Sequence, residues 1–307
     1  LQFKTVLILT IVSYLIFSDH LPLEAITSNA SSFNYWCSQE ASCRIGKNWV
    51  QNTVCKFKNQ SGITCEGVAT IATTPEDRYT LLALHNTFRN HLATGKLRNW
   101  PSASNMRQMT WDDQLELLAS RWALQCVEGH DECRKTPEFN NVGQNCGSAG
   151  AIGKFLGHDV AFHLWANQLP VRSKSILQKF VYGKEYAEFA QIGWAESYKV
   201  GCSLVHFINE VEFFTVLTVC NYGPAGAITN RQMYRRGMPC RECPLGTRCK
   251  MGTTYPKLCA LPDDPTNEYL PEEFIEKAKK YRSGQKSITI SWNTIVLFMC
   301  ARFLLHE

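Results

Sequence analysis

The chain has 307 residues, 45% of them apolar, and a formal charge of +5. That length can bury a sizeable core, and the mild charge with no basic-aromatic module excludes a nucleic-acid binder. Fourteen cysteines exclude a resident of a reducing compartment and point to an exported, disulfide-bonded protein.

Residues 1–25 read as a secretory signal peptide: Lys4, an apolar run from Val6 to Phe17, and a small-residue cleavage context at Ala25. Sequons at Asn29 and Asn59 fit a glycoprotein made on that route. Residues 26–72 hold Cys37, Cys43, Cys55 and Cys65 among polar residues, the pattern of an irregular stapled segment. The main body is expected over 73–230. Thr74 as N-cap, Pro75 at the first helical position, Glu76 and Asp77 in the first turn, and Leu81, Leu84, His85, Phe88 and Leu92 at helical spacing predict a helix that Gly95 stops. Thr110 with Asp113 predicts a capping box for a second helix, which buries Leu115, Leu118, Ala119 and Trp122 and ends at Cys126. A third helical stretch surrounds 160–168 and stops before Pro170. Ile192 to Trp194, Val200 to Phe207 and Val211 to Cys220 read as strands, the last two joined at Asn209-Glu210. Helices followed by an antiparallel pair indicate an α+β layered domain.

Residues 231–262 form a small unit around Cys240, Cys243, Cys249 and Cys259. Four thiolates can hold zinc, but an oxidising compartment favours two disulfides. Arg231, Arg235, Arg236, Arg241, Arg248 and Lys250 cluster there against Glu242, as a solvated face or a patch for anionic glycans or membrane surfaces. A linker and short charged helix follow over 263–286. The apolar tail over 287–307 reads as a glycolipid-anchor signal, with a short membrane span or an interfacial helix as the alternatives.

Six ordered motifs then carry a family resemblance. They are His85-Asn86-x-x-Arg89, Met109-Thr110-Trp111-Asp112, Gly129-His130-Asp131 with Cys133-Arg134, and Asn141-Val142-Gly143-Gln144-Asn145. Gln191-x-x-Trp194 with Val200-Gly201-Cys202, and Val219-Cys220-Asn221-Tyr222-Gly223-Pro224, complete the series. Together they resemble the CAP superfamily, in its insect venom allergen 5 (antigen 5) branch, over residues 35 to 260. The resemblance implies a three-layer α-β-α sandwich with a disulfide-stapled N-terminal segment and a small C-terminal cysteine-rich unit. It also implies the pairs Cys37–Cys55, Cys43–Cys133, Cys65–Cys126 and Cys202–Cys220, and leaves Cys146 outside that pairing.

Many similar proteins line a cleft with two His and two acidic residues that can bind a divalent metal. The matching positions are His130, Gln144, Gln168 and Glu188. Two amides in place of carboxylates leave too few donors for zinc and too little coupling for acid–base work, so neither a metal nor another cofactor is expected. His85 reads as a packing residue, Asn86 and Arg89 as structural hydrogen-bonders, and His91, His158, His163 and His206 show no ligand spacing with acidic residues. The expected protein is secreted and non-enzymatic, and binds a small hydrophobic ligand or an extracellular protein partner, with membrane attachment through the tail as a further option. The alternatives are a metal-dependent hydrolase built on His130 and Glu188, or a protease-inhibiting or channel-directed module at 231–262.

Overall fold

The computed structural model describes residues 35–65, 69–97, 99–168, 173–208, 213–264 and 295–299. The stretch read as a signal peptide, Asn29, the expected turn at Asn209-Glu210 and the expected short helix after 263 lie outside them. Asn59 is exposed. A hairpin of β1 (Cys43–Ile45) and β2 (Asn48–Val50) precedes one turn of helix, α1 (Thr53–Lys56), capped by Asn52, whose side chain accepts from the Val54 N–H at 3.1 Å. After β3 (Thr70–Ile71) comes the long helix α2 (Pro75–Ala93). Thr74 and Asp77 close a capping box at its start and Pro75 occupies its first turn, so local chemistry sets this boundary.

The next boundary differs from expectation. Thr110 belongs to β4 (Thr110–Trp111), and Asp112 caps α3 (Asp113–Ala123), accepting from the N–H groups of Gln114 and Leu115 at 3.0 and 2.9 Å. A carboxylate that takes two orphan N–H groups and faces the positive helix end displaces the hydroxyl as cap. Strand β5 (Gly143–Ile152) was not expected at all. Glycine at 143, 147 and 150 and alanine at 149 and 151 hide it from β-propensity, but small side chains let a helix lie close: a Cβ on Gly147 would sit 3.1 Å from Trp165 Nε1. Three short helices follow, α4 (Val160–Ala166), α5 (Ser173–Gln178) and α6 (Ala187–Ile192). Ile192 therefore ends a helix rather than starting a strand, the usual ambiguity of a short apolar run.

Strands β6 (Lys199–Ile208) and β7 (Phe213–Gly223) pair antiparallel along their lengths. Two-residue strands β8 (Arg248–Cys249) and β9 (Cys259–Ala260) pair with each other, and β10 (Ile295–Met299) runs antiparallel to β5. The main sheet has the order β10-β5-β7-β6-β3, with β4 parallel to β6. Of the apolar tail, only β10 falls within the described residues. Among those residues, no helix is long and apolar enough to cross a membrane.

The sheet is the middle of three layers, and strand alternation sorts its side chains. Val200, Cys202, Leu204, Val216, Cys220 and Tyr222 pack under Leu81 of α2, Phe162 and Trp165 of α4 and Ile192 of α6. Val205, Leu217, Val219 and Cys146 pack on the opposite face under Ala119, Trp122 and Ala123 of α3. Gly201 allows the second contact: a Cβ there would meet Glu116 N at 2.2 Å and Asp112 O at 2.5 Å, so the first turn of α3 rests directly on the strand. A further core joins Leu92, Trp100, Phe189 and Trp194 to Met233, Tyr234, Tyr255 and Leu258, which docks the cysteine-rich unit on the body.

Six disulfides tie the layers: Cys37–Cys55, Cys43–Cys133, Cys65–Cys126, Cys202–Cys220, Cys240–Cys249 and Cys243–Cys259. The second and third close loops of 90 and 61 residues, each worth about 4 kcal/mol in the chain-entropy account.

Candidate functional site

The first motif of α2 supports the site from below. His85 is fully buried, with Nδ1 2.7 Å from the Leu81 carbonyl and Nε2 3.0 Å from the Tyr222 hydroxyl. Burial lowers its pKa to about 4, so it packs as a neutral ring. Asn86 holds Met109 through both backbone groups, donating Nδ2–H to its carbonyl at 2.9 Å and accepting its N–H at 2.8 Å. These are core roles.

The four positions matched from the resemblance fall into two pairs flanking β5. On the α3 side, the amide oxygen of Gln144 lies 2.9 Å from His130 Nδ1, while its Nε2 donates to Asp131 Oδ1 at 2.9 Å and Asn221 Oδ1 at 3.0 Å. Asp131 also receives Arg134 Nε–H at 2.5 Å and the Thr53 hydroxyl. Asn221 in turn donates to the Leu115 carbonyl of α3 at 3.1 Å. Although His130 is exposed as a residue, the protein packed around its ring and then the Arg134 charge hold its pKa below the usual value.

On the opposite face Gln168, just beyond α4, donates Nε2–H to Glu188 Oε2 at 2.9 Å, and its Oε1 accepts the Phe189 N–H at 3.2 Å. Glu188 is buried and its pKa is raised, because desolvation outweighs the hydrogen bond from Gln168. Asn145 points to this side and donates to the Glu188 carbonyl at 3.1 Å. Consecutive residues on β5 thus serve the two pairs on opposite faces, as the period of two requires. The structure joins His130 with Gln144 and Gln168 with Glu188, and sets a strand between the pairs.

Cys146 is a neighbour the sequence did not reveal. Two residues after Gln144, it shares that face, with Sγ donating to the Gly129 carbonyl at 3.1 Å and lying 3.7 Å from His130 Nδ1. Recognition of β5 as a strand is the signal that would have paired these positions. A thiol beside an imidazole has the makings of a nucleophile. Cys146 is only 1% exposed, however, and no substrate carbonyl reaches a sulfur sealed under α3. Asp77 of α2, His158 of the connection between β5 and α4, and His206 of β6 also meet at the far end of the sheet, a contact no sequence spacing signals.

A sheet with α2, α4 and α6 on one face and α3 on the other, clamped by disulfides to an N-terminal segment, is the architecture of the CAP proteins. Residues 82–222 match the family model described as "CAP: Cysteine-rich secretory protein family", and the chain belongs to that family. It is similar to "Venom allergen 5" of Tityus serrulatus, 33% identical over 74% of this chain and 57% of the relative. "Venom allergen 5" of Vespa mandarinia is 31% identical over 66% of this chain and 100% of its own length. Among solved structures, "Structure of BmVAL-1" superposes with a TM-score of 0.52 at 28% identity, covering 64% of this chain and 98% of that one. The chain spans 51% to 57% of the length of the Tityus serrulatus and Trittame loki relatives it matches.

The cleft metal of many family members does not fit these residues. His130 directs Nδ1 at an amide oxygen, Glu188 accepts from the Gln168 amide nitrogen, and the remaining positions are neutral glutamines. A zinc site wants three or more N, S or anionic O donors converging on one point. Cys240, Cys243 and Cys249 do converge, but each sulfur is already spent in a disulfide.

Proposed function

We propose that this protein is a secreted, non-enzymatic CAP-domain binding protein that takes a small hydrophobic ligand or an extracellular protein partner. One observation carries the reading: the polar groups at the family's cleft positions are committed to one another, Gln144 to His130, Asp131 and Asn221, and Gln168 to Glu188 and Phe189. Acid–base work needs a proton-transfer group aimed at a shared substrate atom, whereas these groups brace the walls of the strand. A scaffold whose cleft is internally satisfied offers shape and apolar surface to a partner. On the tail reading the 287–307 segment would act as an anchor signal at the outer membrane face, a role that competes with the pairing of Ile295–Met299 to β5.

Native mass spectrometry on protein recovered from expressing cells, comparing secreted with membrane-released material, tests this. A retained apolar molecule in metal-free protein supports the binding role. Stoichiometric zinc that disappears in His130→Ala overturns it and puts a metal-dependent hydrolase first.

A further inference from the structure

The positive charge of the chain is concentrated in the cysteine-rich unit. Residues 231–262 hold seven of the 32 Lys and Arg residues but only one of the 27 acidic ones, Glu242, so the rest of the chain is close to balance. Arg235 takes Glu242 at 3.2 Å, and Arg231 pairs with Glu196 at 2.8 Å. Arg236, Arg241 and Arg248 are exposed and have no carboxylate partner among the described residues.

The same unit lifts apolar side chains into water. Leu245 is fully exposed, Met251 is 74% exposed and Met238 69%. Each sits on a turn beside a cation. The Arg241 N–H donates to the Met238 carbonyl at 3.2 Å, the Thr247 N–H to the Pro244 carbonyl at 3.0 Å and the Thr253 hydroxyl to the Lys250 carbonyl at 2.7 Å. The first two turns set Met238 three residues before Arg241 and Leu245 three before Arg248; in the third, Met251 follows Lys250, whose Nζ donates to the Pro262 and Asp264 carbonyls at 2.8 and 2.7 Å. The nearby Asp264 carboxylate turns instead to the Leu261 N–H at 2.7 Å. The turns carrying Leu245 and Met251 flank the two residues of β8, and exposed Leu261 lies beside the first of them, with its Cδ2 3.9 Å from where a Cβ on Gly246 would sit. Disulfides Cys240–Cys249 and Cys243–Cys259 cross-link the turns, and buried Tyr255 and Leu258 fix the unit to the body, so a braced platform displays these side chains.

We propose that the cysteine-rich unit docks on a lipid bilayer that bears anionic headgroups, with Leu245 and Met251 entering the interface and Arg241 and Arg248 lying against the phosphates. Charge complementarity names the headgroup: unpaired guanidinium groups at a surface attract an anionic leaflet and bind phosphate oxygens in a bidentate fork. The apolar side chains name the bilayer. They stand singly on convex turns, each next to a cation, and a protein partner would need a separate matching pocket for every one of them. A fluid acyl boundary accepts them one by one without shape matching, while the long basic side chains keep their charges at headgroup level. A sulfated glycan would use the cations and leave Leu245 and Met251 in water. The surface is distinct from the cleft and from the tail, so it adds a contact that neither of those supplies.

Flotation of the disulfide-intact chain with vesicles of phosphatidylcholine, with and without phosphatidylserine, tests this, and heparin affinity is measured beside it. The tail is the same in parent and variants, so differences between them report the unit. Binding is expected to be stronger to the phosphatidylserine vesicles and to fall as salt rises. Arg241→Gln and Arg248→Gln are each expected to weaken it about fivefold, the attraction of one cation to an anionic surface. Leu245→Ser is expected to weaken vesicle binding about tenfold, the loss of one inserted leucine, and to leave heparin affinity unchanged. All three side chains are exposed, and near-ultraviolet circular dichroism checks that the variants keep the fold. Vesicle binding unchanged in all three variants overturns the proposal. Weakening in the arginine variants with none in Leu245→Ser, or binding to heparin without binding to vesicles, makes the surface purely ionic and overturns it as well.

Discussion

Replacing Arg89 by Lys separates the geometry of a buried guanidinium from its charge. Arg89 is fully buried in α2 and its hydrogen bonds go to carbonyls: Arg107 at 2.9 Å, Ile192 at 3.1 Å, Trp194 at 2.7 Å, Ala195 at 3.2 Å and Ser197 at 2.8 Å. Four of these carbonyls belong to the segment running from the end of α6 to β6, so one side chain shapes the turn from helix to sheet. An ammonium has three donors, so at least two of the five contacts are lost, although the Trp194 and Ala195 carbonyls keep the Ser197 and Arg107 N–H groups as donors. A hydrogen bond from a charged donor is worth about 1.5 to 3 kcal/mol, giving about 3 to 6 kcal/mol for the variant. Desolvation already draws the Arg89 pKa down to about 9, with Arg107 adding to it, and a lysine placed there starts lower and is driven toward its neutral form. Against a typical total of about 5 to 15 kcal/mol, the variant is expected to fold with a clearly reduced midpoint. Guanidinium unfolding with disulfides intact measures this, as a fall in midpoint at constant slope. A loss below about 1 kcal/mol would show that charge alone organises the carbonyls and would refute the count of donors.

Acid should weaken the fold through His85. Its folded pKa is depressed to about 4 by burial, against about 6.5 unfolded, so its contribution is complete above pH 6.5 and is lost as pH falls toward 4. The 2.5-unit gap corresponds to about 3 kcal/mol. Urea midpoints across this window are expected to fall, and His85→Gln to flatten the slope; an unchanged slope would assign the acid sensitivity elsewhere. For Cys146, Ellman's reagent on a variant whose other unpaired candidate, the tail cysteine Cys300, is changed to Ser is expected to give no signal in native buffer and one thiol in denaturant, because Sγ is sealed under α3. Rapid native labelling would return Cys146 to the list of candidate nucleophiles.

What the sequence disclosed was what local chemistry decides. The capping box at Thr74 and Asp77, the apolar stripe of α2 and the alternation of β6 and β7 are short-range signals, and the structure places these elements where the residues put them. The misses share a physical reason. Strand β5 is small-residue because Trp165 and Ala161 press on it, with a Gly147 Cβ 3.1 and 3.3 Å from them; packing, rather than propensity, makes it a strand. Thr110 lost the cap to Asp112 because β6 recruits it in parallel pairing, a partner about ninety residues away that no window contains. The same holds for His158, His206 and Asp77, which no spacing rule connects and which only the sheet end brings into contact.

The substitutions in the cleft motif make sense once β5 is seen as a divider. With His130 and Gln144 on the α3 face and Gln168 and Glu188 on the other, each pair needs an internal balance of donors and acceptors. A neutral amide supplies both in one side chain. Gln144 uses its oxygen toward His130 and its nitrogen toward Asp131 and Asn221, and Gln168 uses its nitrogen toward Glu188 and its oxygen toward the Phe189 N–H. A glutamate at 144 would put a charge against Asp131 and leave the Asn221 oxygen facing another acceptor. A glutamate at 168 would face the carboxylate of Glu188, whose pKa burial already raises. Glutamine at both positions therefore goes with Asp131 and Glu188 as one matched set, and a single reversion to an acidic residue would have to bring a proton or a cation with it.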